Sequence, residues 1–215
     1  MGKSVTAAVI VAHPDDETIW AGGTVLMHSD WQWMIVSLCR GSDPDRAPKF
    51  IRAVRQLGGV GTIGDLDDGL EQLPLSEAEV QKMVLSLLPE KRFDLVLTHS
   101  PYGEYTRHRR HEETSKAVVG LWDKGLIRVS EIWMFAYEDA GVGGKEDLPQ
   151  AINTAHLIVH LPEDIWRRKY RIITDIYSFS PRTYEADIVM REEAFWRFQS
   201  PAEFRKWLKT ERSKP

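Results

Sequence analysis

Two short runs concentrate the residues that can do chemistry. The first is His13-Pro14-Asp15-Asp16-Glu17, a histidine and three carboxylates within five positions. The second holds Glu104, Tyr105, His108 and His111 and closes as His-x-x-His. Each run has a plain alternative. One aspartate could merely cap a helix while His13 sits in a turn, and the two later histidines could lie solvated on an early helical turn. A cap, however, needs one side chain, and three successive carboxylates repel one another unless a positive charge neutralises them. A divalent cation would do so. His13 and Asp16 are three residues apart across a tight turn, close enough to share one ion. A histidine from the second run would complete a set of two His and one carboxylate, which leaves open positions for water and substrate. Asp15 is then free to act as a base on that water, and the remaining histidine to protonate or stabilise the substrate.

Composition agrees with a metal held by imidazole and carboxylate. Among 215 residues there is one cysteine, Cys39, against seven histidines. One Cys excludes an internal disulfide scaffold, a Cys-rich zinc site or an iron–sulfur cluster within the chain. With 28 Lys and Arg against 32 Asp and Glu the net charge is −4, which argues against nucleic acid as a partner. No window approaches the ~18 apolar residues of a membrane span. No targeting segment is read, and Met1-Gly2 alone does not make a myristoylation signal, so the expected location is cytoplasmic.

The elements that must position these groups follow from apolar patterning. Val5 to Ala12 is a continuous small and β-branched run, as for a central strand buried on both faces. It stops at His13-Pro14, and a helix is expected from Glu17 to His28. Further strands are expected at 33–38, 60–63, 94–98, 131–137 and 156–161. Helices are expected at 48–57, ending at Gly58-Gly59, and at 76–88, where Ser76 and Glu79 form a capping box. Two more are expected at 111–121 and from Pro162 to about Tyr177. Segments 65–73 and 100–110 read as loops. The last 35 residues, with Trp196, Phe198, Phe204 and Trp207, read as one or two amphipathic closing helices and a frayed end at 212–215. Alternating strands and helices imply an α/β, Rossmann-like three-layer sandwich with a mostly parallel sheet, as one domain over 1–215. Function in such a sheet collects at the carboxyl ends of the strands. If strands one and four are neighbours across a switch point, the two runs face each other.

The two runs together resemble a known family, the LmbE-like or PIG-L N-acetylglucosaminyl deacetylases. His13-Pro14-Asp15-Asp16-Glu17 after an apolar first strand is similar to that family's (A)HPDDE motif, and His108-x-x-His111 after strand four to its His-x-x-His element. Arg46, Ala53 and Leu57-Gly58 fit its Arg-x6-Ala-x3-Leu-Gly spacing, and Asp68-Gly69-Leu70 its Asp-Gly-Leu loop. The similarity covers residues 5 to 140 well and the C-terminal third loosely.

The resemblance implies a hydrolase that removes an N-acetyl or other N-acyl group from a small amino-sugar-containing substrate through a metal-activated water. His13, Asp16 and His111 match the zinc ligands, although two His and one Asp would also hold Fe2+, Co2+ or Ni2+. Asp15 matches the general base and His108 the histidine that polarises the carbonyl or stabilises the oxyanion. Arg46 matches a substrate-contacting arginine. Glu17 would stand behind the ligands, holding His13 or a neighbouring backbone amide.

The chain departs from the family pattern in two places. Lys49 stands where many members have Glu. The loop usually written Gly-His-Pro-Asp-His becomes Thr106-Arg107-His108-Arg109-Arg110-His111, whose added charge could favour a phosphate- or carboxylate-bearing sugar, although flanking arginines are more often solvated or paired with Asp and Glu. Trp20 could stack on a sugar ring, His99 could border the pocket, and His28, His156 and His160 are read as non-ligands. Cys39 is read as an inert core thiol. The aromatic C-terminal third could bury an interface in a homo-oligomer.

Two other classes compete. A non-haem iron enzyme also uses two His and one carboxylate, but typically as His-x-Asp/Glu on a jelly roll. A non-catalytic sugar or nucleotide binder would need no metal, and the first turn carries acids where a phosphate cradle needs backbone amides.

Overall fold

The computed structural model describes residues 4–140 and 148–211. Met1-Gly2 and the frayed end expected at 212–215 lie outside them. The chain runs β1 (Thr6–Val11), α1 (Asp16–Met27), β2 (Gln32–Cys39), α2 (Arg46–Leu57), β3 (Val60–Leu66), α3 (Glu77–Leu87), β4 (Arg92–Thr98), α4 (Arg109–Asp123) and β5 (Arg128–Phe135). There follow a small antiparallel pair, β6 (Tyr137–Asp139) and β7 (Pro149–Ala151), then β8 (Leu157–His160) and α5 (Glu163–Arg171) with a π-helical turn at Ile172–Ile176. The last elements are α6 (Tyr184–Asp187), β9 (Glu192–Phe198) and α7 (Pro201–Glu211).

The main sheet has seven strands in the order β3-β2-β1-β4-β5-β9-β8. The first five are parallel, and β9 runs antiparallel to both β5 and β8. The α/β three-layer architecture expected from the pattern is therefore present. In β1, alternate residues serve two cores. Ala7, Val9 and Val11 pack with α1, α2 and the 172–177 segment, whereas Ala8 and Ile10 pack with α3, α4 and α7. A strand covered on both faces has no polar side, which is why it reads as an unbroken apolar run.

Local signals explain the helices. Phe50, Ala53, Val54 and Leu57 form the buried stripe of α2 at helical spacing, and Gly58 ends that helix at φ 84°. Ser76 accepts the Glu79 N–H at 3.2 Å, so the capping-box serine caps α3. Helix α1 is pinned by a buried pair behind the sheet. On β9, Glu193 accepts the N–H groups of Gly23 and Thr24 at 2.7 Å each and the Lys169 ammonium at 2.8 Å. A Cβ on Gly23 would lie 2.4 Å from Leu161, so glycine permits this close approach.

The C-terminal expectation is overturned. Residues 192–198, read as part of a closing helix, are β9, and the closing amphipathic helix is confined to 201–211. Phe195 packs on one core while Ala194, Trp196 and Phe198 pack on the other. This is a period of two that a short run buried on both faces conceals. The short α6 and the β6–β7 pair also had no clear signal. Among the described residues no helix is long and apolar enough to cross a membrane.

Candidate functional site

Strands β1 and β4 are paired in parallel, with β2 and β3 beyond one and β5 beyond the other. This is the point where strand order reverses and adjacent loops splay apart. The connection after β1 carries His13 to Asp15, with Asp16 and Glu17 in the first turn of α1, and the connection after β4 carries His99 to His108, with His111 in the first turn of α4. They meet over a cleft of about 470 Å³ whose walls include His13, Asp15, Asp16, Arg46, His108 and His111.

Three donor atoms converge. His13 Nδ1 lies 3.2 Å from Asp16 Oδ2 and 3.2 Å from His111 Nε2, and His111 Nε2 lies 3.4 Å from Asp16 Oδ2. Donors bound about 2.0–2.2 Å from a tetrahedral ion are separated by about 3.3–3.6 Å, so the triangle has the size and chemistry of a divalent cation site. The outer atoms of these three side chains are occupied. The Nε2 of His13 faces Asp68 Oδ1 at 3.2 Å, and the Nδ1 of His111 faces Glu104 Oε2 at 2.5 Å. Each carboxylate fixes a proton on the far nitrogen and turns the near lone pair inward. Trp20 does the same for Asp16, its indole N–H donating to Oδ1 at 3.2 Å and leaving Oδ2 for the triangle. Burial opposes ionisation of Asp16, but His111 and His99 hold its carboxyl well below the usual range.

Asp15 stands beside the triangle but outside it. It occupies the position before α1, yet its side chain makes no cap bond, and its φ is 110°. A non-glycine residue held there carries backbone strain of about 1–3 kcal/mol, a cost that clusters at functional positions. Its Oδ2 meets Arg46 Nη1 at 3.0 Å. Burial first, and then the negative charge of Asp16, push its carboxyl well above the ordinary range against the pull of Arg46. Glu17 is fully buried and accepts the Asp15 backbone N–H at 3.0 Å and the Tyr177 hydroxyl at 2.8 Å. Burial pushes its carboxyl to about 7. Of its two expected partners it therefore holds the backbone amide, whereas Asp68 holds His13.

His108 stacks on His111 at 4.2 Å between ring centroids and meets His13 edge-on at 4.9 Å. Burial, then the neighbouring His111 and His13, push it down to about 4. It is neutral at physiological pH, and its buried Nδ1 has no partner among the described residues.

Sequence reasoning missed Asp68 and Glu104 as partners of the ligands. Both lay in view, but nothing in their spacing showed which histidine each would face. His99 is fully buried, accepts the Ala12 N–H at 2.9 Å through Nε2 and meets the other oxygen of Glu104 through Nδ1, also at 2.9 Å. Trp20 is buried against Tyr105 and Tyr137, behind Asp16. Arg46 lines the cleft and meets Asp15, with its guanidinium 4.6 Å above Phe179. Lys49 pairs with Asp45 at 2.8 Å.

None of the three added arginines lines the cleft. Arg107 pairs with Glu112, Arg109 lines a separate groove beside α7, and Arg110 is buried. Arg40, which does line it, is paired with Asp43 and Asp68. Of the three charges that suggested an anionic sugar, those of Arg107 and Arg110 are paired within the protein and that of Arg109 faces a different groove. His28, His156 and His160 lie elsewhere, against Trp31, Arg197 and Glu192. Cys39 is buried, and burial pushes its thiol up to about 12.

Comparison with known proteins identifies the fold and the family. Uncharacterized protein L374 of Acanthamoeba polyphaga mimivirus is 27% identical, covering 80% of this chain and 75% of that protein. Two solved structures share the fold. One is the N,N'-diacetylchitobiose deacetylase of Pyrococcus horikoshii, with a TM-score of 0.67 at 20% identity over 92% of this chain and 85% of that one. The other is a deacetylase of the teicoplanin biosynthetic pathway, with a TM-score of 0.66 at 16% identity over 91% and 98%. The family model described as PIG-L, GlcNAc-PI de-N-acetylase, matches residues 8–122, more than half of the sequence and both histidine motifs. The chain belongs to the PIG-L family.

Proposed function

We propose that the protein is a metal-dependent N-deacetylase acting on a small N-acetylated amino sugar or its conjugate. The observation that carries the reading is the triangle of His13, Asp16 and His111, with Asp15 ionisable beside it and His108 neutral above it. The triangle would hold Zn2+, or Fe2+, Co2+ or Ni2+, and the ion supplies a Lewis acid that polarises an amide carbonyl and acidifies water.

The chain's own residues do the rest. Asp15 takes a proton from the attacking water. Its raised affinity for protons suits a base, since a carboxyl of ordinary pKa is a weak one at neutral pH. Arg46 and the strained backbone hold that carboxyl in place. As water adds to the amide carbon, charge builds on the carbonyl oxygen. A neutral His108 still carries one N–H, which it can donate to that oxygen. Asp15, now protonated, returns its proton to the nitrogen as the C–N bond breaks, releasing the amine and acetic acid, whose remaining proton leaves to the amine or to water. Tyr105, Tyr184 and Gln72 line the remaining cleft and offer hydrogen bonds to sugar hydroxyls.

The test is amine release from N-acetylglucosamine, its chitobiose, and its inositol-linked and phosphorylated forms. Protein stripped by chelator is compared with protein reloaded with each metal. Turnover that needs one ion per chain is expected. Turnover unaffected by complete metal removal, or no amine from any sugar with metal bound, would overturn the proposal.

A further inference from the structure

Arg110 is a fully buried guanidinium (1% exposed) that the chemistry above does not use. It also stands where the sequence departs from the family's motif, immediately before His111 on α4. Four contacts engage all three of its nitrogens. Nε donates to the Asp67 carbonyl at 2.6 Å and Nη2 to the Leu73 carbonyl at 2.9 Å, with Asp67 Oδ2 at 3.3 Å. Nη1 meets Glu113 Oε2 at 2.5 Å. Glu113, one turn further along α4, accepts the Leu75 N–H at 3.0 Å through its other oxygen. Two side chains of one helix thus close both ends of segment 67–75, which has no strand or helix of its own between Leu66 and Glu77.

That segment carries Asp68, the carboxylate facing His13 Nε2, and also Gln72, whose amide donates to Asp68 Oδ1 at 3.1 Å. We propose that Arg110, with Glu113, is a positioning residue for the metal site. By clasping segment 67–75 to α4 it holds Asp68 against His13, and so couples the ligand after β1 to the ligand on α4. The inference rests on the reading of His13 and His111 as ligands. Its physical basis is the planar guanidinium, which holds two carbonyls and two carboxylates at fixed angles where an ammonium acts as a point charge. A carboxylate on the far nitrogen of a ligating histidine is worth about 10–100-fold in metal affinity.

The test measures Zn2+ dissociation constants by chelator competition on the full chain, alongside melting temperature, for the native protein, R110K, D68A and R110K/D68A. R110K should fold and bind about tenfold more weakly, D68A about 10–100-fold more weakly, and the double variant no more weakly than D68A. Native affinity in R110K, or losses that add in the double variant, would overturn the clasp. If R110K does not fold, E113Q carries the same test. A loss of a few-fold that disappears in the D68A background supports the clasp, and an unchanged affinity refutes it. A native protein that binds no divalent ion would instead overturn the metal reading itself.

Discussion

Replacing Asp15 with Asn separates the proposed base from the metal ligands. The choice of residue is set by the backbone. At φ 110° most side chains would add strain, but Asn tolerates positive φ well. Asn keeps the shape, and its amide oxygen can still accept from Arg46, 3.0 Å from Asp15 Oδ2 in the native protein. What is lost is the ionised oxygen that takes the proton. General-base catalysis contributes about 10²–10⁴ in rate, or about 2.7–5.4 kcal/mol of barrier at ~1.36 kcal/mol per decade. Metal content should stay at one per chain, because none of the three converging donors belongs to Asp15. The assay is kcat for amine release at saturating metal, with metal content and melting temperature measured on the same sample. A variant that is folded, loaded and within tenfold of native kcat would refute the assignment.

Other expectations follow from specific contacts. Glu104→Gln cannot accept from both His99 and His111 as a carboxylate does, so metal affinity should fall about 10–100-fold with little change in fold, as read by chelator competition. Lys169→Met leaves Glu193 buried and without its counter-charge. This should cost about 3–5 kcal/mol, or about 7–11 °C in melting temperature for a chain of this size. An unchanged Tm would show that the two amide bonds to Glu193 suffice. Burial, with Glu193 near Tyr137 and Glu17 near Tyr177, raises both phenols well above 10. The folded protein keeps those protons while the unfolded chain loses them above pH 10. Stability should therefore fall as pH rises past about 10, by about 1.4 kcal/mol per unit per tyrosine, and Y137F should reduce that slope in urea titrations between pH 9 and 11.

Much of this protein is legible in one dimension because its signals are local. A strand buried on both faces announces itself as an apolar run, Ser76 and Gly58 mark helix ends, and His13 to Glu17 crowd charge that must be neutralised. The same locality made the failures. Residues 192–198 alternate between two cores, but their aromatic run has no turn signal to distinguish strand from helix, and their partners, β5 and β8, are set by long-range pairing. The arginines flanking His111 could be read either as substrate-facing charge or as charge paired with Asp and Glu, and no window of sequence chooses between the two. Which way each side chain points depends on its helical phase and on Asp67, Glu112 and Glu113, some of them distant in sequence.

The division is clearest at the metal site. The sequence alone determined which residue types could bind an ion, because a tight turn puts His13 and Asp16 within reach of one atom whatever the rest of the chain does. Only the tertiary structure decided that β1 and β4 are neighbours, and so that His111 closes the triangle from 98 residues away. It also decided that Asp68, Glu104 and Trp20 contact the outer atoms of His13, His111 and Asp16. Those contacts come from strand pairing and core packing, which sum many weak interactions across the whole sheet and leave no mark in any single window of residues.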